Sequence, residues 1–383
     1  MNPLRTRIGV ALACLLVAPR GFAGESTRYR IEVLPVPPGC HSSSDLHGLD
    51  EQDRVAGGLS CDGVQTRRAV IWDNGDLMEL GNFGGPESMP AQLGSRGKAV
   101  GYAETPELDA WWGHVFRPFL WDGEELHDLG TLGGRLGLAI GINRAGRIVG
   151  QCQPEAVDAR IGRVPFRACV WENGGVRDLG DLGGPEAIAV DVNSQGWIVG
   201  ESDTNVEPQP PYLPGIVRHA FLHDGRQMHD LGSLGGIFSS ALAVNDRGEA
   251  VGASLTGEST PAGYPIWRAM AWRGEAAFEL DSAGADLSYA LDINNRGQIV
   301  GISRHLALGE TRRVRALLWE DGVPRDLDLA VINAEGWRIE SATAINESGT
   351  ILASAYRDGQ SRLVLLVPVP EHEALSPAPG AGR

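Results

Sequence analysis

A unit of about fifty residues recurs along this chain, and that recurrence restricts the fold more than any local motif does. Its clearest mark is His127-Asp128-Leu129-Gly130-Thr131-Leu132-Gly133-Gly134. The mark returns as Arg177-Asp178-Leu179-Gly180-Asp181-Leu182-Gly183-Gly184 and as His229-Asp230-Leu231-Gly232-Ser233-Leu234-Gly235-Gly236. A second mark is an Asn that opens an Asn-x-x-Gly turn, at Asn143, Asn193, Asn245, Asn294 and Asn346, with Asp50 and Gly94 as degenerate equivalents. Spacings of 44 to 52 residues lay out seven repeats over residues 28 to 368. A period of this length describes a supersecondary unit that cannot bury a core alone and must stack on its neighbours.

Each repeat reads as four short strands. The first ends at the marker, as in Ala139-Ile140-Gly141-Ile142-Asn143. Asn caps its own turn, and the Gly three residues on takes a positive φ. The second strand is Ile148-Val149-Gly150 and its equivalents. A connection of variable length follows, then a strand of the Arg-Ala-Phe-Leu-Trp type and a fourth strand carrying Asp-Leu-Gly. Small residues stand four positions before the marker (Ala139, Ala189, Ala241, Ala290, Ala342), as a crowded axis requires. The residues one position before it (Ile142, Val192, Val244, Ile293, Ile345) suit packing between units.

The third and fourth strands carry a regular charge pattern. A basic or imidazole side chain lies four residues before the Trp position in every repeat: Arg68, Arg117, Arg167, His219, Arg268, Arg315 and Arg362. An acid lies eleven residues after the first six: Glu79, Asp128, Asp178, Asp230, Glu279 and Asp326. A tight hairpin is expected to set the two directly opposite each other, an ion pair of roughly 0.2–1 kcal/mol. Recurrence in every copy makes structure a better account of these arginines than ligand binding. Arg362 has no acid after it, but Tyr29-Arg30-Ile31-Glu32-Val33-Leu34 puts Glu32 at the acid position ahead of the first inner strand. The N-terminal strand is therefore expected to complete the last unit. The fold class predicted is all-β, a seven-bladed β-propeller of four-stranded blades closed by that strand.

The register also sorts the cysteines. Four lie beyond the N-terminal segment, an even number that favours disulfides in an oxidising compartment. Cys152 ends a second strand and Cys169 lies on the adjoining third strand. Cys40 and Cys61 flank the first two strands of repeat 1. The predicted pairs are Cys40–Cys61 and Cys152–Cys169.

Arg218-His219-Ala220-Phe221-Leu222, followed by Met228-His229-Asp230-Leu231-Gly232-Ser233-Leu234-Gly235-Gly236, resembles the HAF-type bacterial extracellular repeat, named for its His-Ala-Phe triplet. The resemblance spans residues 28 to 368. Only repeat 4 has the literal triplet, and Leu-Gly-Gly occurs only at Leu132, Leu182 and Leu234, so four of the seven repeats lack it, repeats 1, 6 and 7 among them. It implies secretion in bacteria and brings no catalytic residues with it.

Residues 1–23 read as a secretory signal: Arg5 and Arg7, an apolar run from Ile8 to Ala18, then Gly21-Phe22-Ala23. The apolar run before Cys14 is too short to favour lipoprotein cleavage there, and Pro19-Arg20 end it before it can span a membrane. Residues 369–383 read as a disordered Pro/Gly-rich tail without a membrane anchor. The formal net charge of −16 becomes −19 once Arg5, Arg7 and Arg20 are removed, which disfavours nucleic acid and anionic membranes as partners. A secreted monomer is expected, extracellular or periplasmic.

Function in such a chain belongs to the connections that vary between repeats, all of which leave one face. Those after the second strands cover roughly 103–116, 153–165, 202–217, 254–267 and 303–314. They carry Trp111, Trp112, His114, Tyr212, Tyr264, Trp267 and His305, aromatics and imidazoles suited to sugar rings or peptides. Two inner-strand acids, Asp191 and Asp292, stand two residues before their markers and are candidates to line a central channel. No metal-ligand spacing, nucleophile elbow or phosphate-cradling loop occurs, so neither a cofactor nor a metal is expected. The expectation is a binding scaffold for an extracellular glycan, peptide or protein partner. The alternative is a secreted hydrolase or lyase that uses the channel acids.

Overall fold

The computed structural model describes residues 27–42, 48–206, 215–274, 276–306 and 314–370. The residues read as a signal, Tyr212 and most of the C-terminal tail lie outside these. The described chain is almost entirely β, with two short 3₁₀ turns at Ser95–Gly97 and Leu327–Leu329.

Repeat 3 shows the unit. Its inner strand Gly133–Ile142 pairs antiparallel with Ile148–Pro154, then Arg167–Glu172, then Gly175–Asp178. Repeats 2 and 4 form sheets in the same order, while repeat 1 splits its inner strand into Cys40–Ser42 and Gly48–Leu49. Repeats 5 and 6 make two such sets, joined by a single parallel bridge between Trp267 and Leu287. In repeat 7 the outermost strand is Arg28–Val33, which pairs antiparallel with Gln360–Val369. That last strand runs one residue past 368, into the segment read as tail.

The inner strands carry a β-bulge three residues before the marker in repeats 2 to 7, seen as a register shift such as Ala139/Gly141 or Ala189/Asp191. A bulge breaks the two-residue alternation of a strand. Residues four and one before the marker therefore face the same way. Ala139 and Ile142 share one core cluster, and Ala189 and Val192 share another. The alanines thus pack between sheets, not at the axis as the sequence implied. It is the residue two before the marker that turns inward.

The core lies between consecutive sheets. Val100 of repeat 2 packs with Ala139, Cys152 and Trp171 of repeat 3. Leu352 and Leu363 of repeat 7 pack with Val55, Val70 and Trp72 of repeat 1. Burying side chains of this size contributes about 1.5–3 kcal/mol each. Indole N–H groups add a second link between neighbours. Trp171, Trp272 and Trp319 donate to Gly130, Leu231 and Asp281 carbonyls of the preceding repeat. Trp72 donates to the Pro35 carbonyl, just after the strand that belongs to repeat 7, at 2.7 Å.

Both disulfides form as expected, Cys40–Cys61 and Cys152–Cys169. Ion pairs form at Arg68–Glu79, Arg117–Asp128, Arg167–Asp178, Arg268–Glu279 and, at 3.7 Å, Arg315–Asp326, and His219 Nδ1 meets Asp230 at 3.0 Å in the equivalent place. They are diagonal and not directly opposite, because Asp128 faces Phe119 and Asp178 faces Cys169 in the register. The seventh pair is absent. Leu34 donates to the Leu363 carbonyl just as Leu129 donates to Pro118, so Val33 and not Glu32 holds the acid position. Glu32 pairs with Arg30 instead.

Candidate functional site

Two hollows lie at opposite ends of the inner strands. The larger, about 720 Å³, sits at the Asn-turn end and is lined by residues of the inner strands and their turns. Gln92, Asp191 and Asp292 reach into it from repeats 2, 4 and 6, each two residues before its marker. The intervening repeats have Gly141, Ala243 and Ala344 at this position, and repeat 1 has Gly48. Each polar side chain crosses to the next repeat and accepts a backbone N–H. Gln92 Oε1 accepts from Ile142, Asp191 Oδ2 from Val244 at 2.9 Å and Asp292 Oδ2 from Ile345 at 2.7 Å. Gln92 Nε2 also donates to Asp191 Oδ1 at 3.4 Å.

The wall strips hydration from both carboxylates, and this pushes the Asp191 carboxyl up from the usual range. The same loss of hydration, with the nearby Asp191 and Glu347 charges, pushes Asp292 up to about 7. Part of each side chain stays accessible, but that part opens into the cavity, where the wall restricts hydration. The rim is a further set of links. Asp246 accepts from Ser194 N, Asn295 from Asp246 N, Glu347 from Asn295 N and Glu51 from Glu347 N.

The second hollow, about 260 Å³, opens among the variable connections of repeats 2 to 4. The segment 103–116, read as a loop, is mostly a hairpin of the strands Ala99–Asp109 and Gly113–Trp121. Asp109 Oδ1 caps its tip by accepting from Trp111 N and Trp112 N. Trp111 is 89% exposed and Trp112 53%. Trp112 stands edge-on to Phe116 and Phe166, at interplanar angles of 84° and 82°, and these two rings stack on each other. Such contacts fix the indole plane while leaving much of it open.

Charged groups complete this crevice. Arg163 forks onto Glu186 at 2.7 and 2.9 Å, and Glu186 Oε1 also accepts from Phe166 N. Arg218 donates to Asp203 at 2.7 Å and Glu201 at 3.0 Å. Forked charge-assisted bonds hold these groups in fixed directions. The arrangement offers an exposed ring face beside oriented donors and acceptors.

The other anticipated residues are dispersed. His114 Nδ1 lies 3.0 Å from the Thr105 carbonyl and ties its own hairpin. Trp267 is stacked on Tyr289 and set edge-on to Phe238, so it packs the fold. Tyr264 is exposed beside a second hairpin tip, because 254–267 is again largely strand. His305 is half-buried, away from both hollows. Trp112 and the channel acids do not meet. Phe116, Phe166, Arg163 and Glu186 went unread. Phe116 and Phe166 hold equivalent positions, immediately before Arg117 and Arg167, but the four come from three repeats and no repeated signal marks them as one site. Gln92 was hidden by the degenerate Gly94 marker. Among the described residues no group of three or more His, Cys, Asp or Glu is placed to hold a metal, and no helix is long and apolar enough to cross a membrane.

No family model matches the chain, and no curated protein matches it in sequence. Among solved structures it is similar to the β-propeller domain of the Trilobed protease from Pyrococcus furiosus. The TM-score is 0.54 at 11% identity, over 85% of this chain and 95% of that one. The polysaccharide lyase Uly1 matches with TM-score 0.49 and 10% identity, over 92% and 94% of the two chains. An ulvan lyase described as a new family of polysaccharide lyase matches with 0.46 and 10%, over 91% and 97%. At these identities it is the first likeness that bears on the fold: the chain is an all-β protein of the β-propeller type. Its two disulfides fit an extracellular protein.

Proposed function

We propose that this chain is a closed seven-bladed propeller of the HAF-repeat kind. We read it as a secreted, monomeric scaffold that binds a glycan in the crevice between Trp112 and the Arg163–Glu186 pair. Two observations support closure. Asn346 donates to the Asp50 carbonyl as each earlier marker Asn donates to the next, and Trp72 donates to Pro35 as other indoles do to the repeat before them. The observation that carries the binding reading is the orientation of Trp112, an exposed aromatic ring beside a bidentate guanidinium–carboxylate pair. A pyranose offers an apolar C–H face to such a ring and hydroxyls to such a pair. The bland alternative, that Trp112 only packs its hairpin, predicts no ligand.

The test is binding of the purified protein to a glycan array, with a peptide array alongside. Specific glycan binding lost on Trp112→Ala and kept on Tyr264→Ala supports the reading. Peptide binding alone, or glycan binding indifferent to Trp112, overturns it. The enzymatic alternative rests on Asp292, which titrates near neutrality in the cavity at the other end of the inner strands. Turnover of a bound glycan that stops on Asp292→Asn would replace the scaffold reading with that one.

A further inference from the structure

Gln92, Asp191 and Asp292 occupy the same position in alternate repeats and do the same job. Each fastens its inner strand to the next by accepting an inward-facing N–H, from Ile142, Val244 and Ile345 respectively. One fastener is a neutral amide and two carry titratable oxygens. We propose that Asp191 and Asp292 are proton-responsive clips that tighten the wall of the central cavity in mild acid, with the Gln92 clip as the fold's own insensitive counterpart.

The surroundings of the two carboxylates set the direction of the response. Facing them are Asp246 from the turn of repeat 5 and Glu347 from the turn of repeat 7, both acids, and each other. The basic side chains of the lining are Arg96 and Arg144, and Arg144 is held by Glu51. Of the other two acids of the lining, Glu51 is the one that holds Arg144, and Asp50 carries Arg54. Neither clip has an arginine among its hydrogen-bond partners; both use backbone N–H groups, to which Asp191 adds the Gln92 amide. An ionised carboxylate accepts those N–H bonds more strongly than a neutral one. Against that stand the lost hydration and the neighbouring negative charges, and these dominate, since both carboxyls are displaced upward. Gln92 shows that a neutral carbonyl oxygen satisfies the same geometry.

The sign follows from proton linkage. A carboxyl with an ordinary value of 3.8 that is held at about 7 in the fold binds a proton in the native state and not in the unfolded one across that interval. Its contribution is full below the lower value and declines as pH rises towards the upper one. Protonation of the two clips in mild acid therefore stabilises the folded wall of the cavity, and their ionisation as pH rises destabilises it.

The experiment compares wild type with Asp191→Asn, Asp292→Asn and the double variant, whose amides keep the acceptor as Gln92 does. Thermal midpoints are measured from about pH 4 to 8, and native-state amide exchange is read at Val244, Ile345 and Ile142. The expected result is a double variant whose midpoint gains on wild type as pH rises through this range. In wild type the protection of Val244 and Ile345, corrected for intrinsic exchange, should fall over the same range while that of Ile142 does not. A midpoint difference independent of pH overturns the proposal, as does an equal loss of protection at Ile142. Neither result depends on whether a glycan binds at Trp112.

Discussion

The side-chain amide of Asn346 donates to the backbone carbonyl of Asp50 at 3.0 Å, bringing the last marker of the chain onto the first. The same bond runs from Asn143 to Asn193, Asn193 to Asn245, Asn245 to Asn294 and Asn294 to Asn346. Asp50 keeps the turn-capping half of the role by accepting from Gln52 N and Arg54 N, but it has no amide to pass on.

Asn346→Ala is expected to cost about 1–3 kcal/mol in chemical denaturation, because it removes a buried donor and also the cap on Thr350 N. An equal loss on Asn193→Ala would show that the contact between the first and last repeats is worth as much as an internal one. A negligible effect at Asn346 with a clear one at Asn193 would mean that the Asn346–Asp50 contact contributes little.

The indoles give a paired comparison. Trp171 donates to the Gly130 carbonyl, whereas the buried Trp121 indole N–H has no hydrogen-bond partner among the described residues. Trp→Phe leaves a similar gap at both sites but removes a bond only at the first. Trp171→Phe should therefore cost about 1 kcal/mol more than Trp121→Phe, read as the difference in unfolding free energy. Equal costs would show that the indole bonds between repeats contribute nothing measurable.

Tyr29 is fully buried on the strand that completes repeat 7, and its hydroxyl has no hydrogen-bond partner among the described residues. Burial, with the nearby Glu320 charge, pushes the phenol from 10.0 up to about 12. The native state then holds this proton after the unfolded chain has lost it, so stability falls as pH rises from about 10 to 12. Tyr29→Phe should melt at least as high as wild type near neutrality and lose less over the alkaline interval. A lower midpoint near neutrality would mean that the hydroxyl has a partner, such as a buried water.

Much of the scaffold could be read directly because each signal was repeated. The Asn turns and the six contacts between a basic or imidazole side chain and an acid rest on features that recur at fixed spacing, and the register these define places both disulfides. What failed was register. A strand's two-residue alternation cannot tell Glu32 from Val33 when no hairpin turn ties that strand to its partner. The bulge hid which inner-strand residue faces the axis for a related reason, since an extra residue reverses the alternation without leaving a compositional mark. Asp191 and Asp292 stood out as acids where repeats 1, 3, 5 and 7 have Gly or Ala. The Trp112 crevice did not, beyond Trp112 itself, because its other walls are gathered from three repeats and meet only in the folded chain.

The pairing of Arg28–Val33 with Gln360–Val369 has a consequence for how the molecule assembles. Arg28–Val33 cannot be placed until Gln360–Val369 is available, 327 residues later (Val33 to Gln360). Such distant contacts slow folding, since the entropy of closing the loop is lost before the contact repays it. Until then the first repeat lacks the surface on which Trp72 rests. A chain interrupted before repeat 7 would leave both the Arg28–Val33 edge and that face unfilled, so truncation at one end exposes surface at the other.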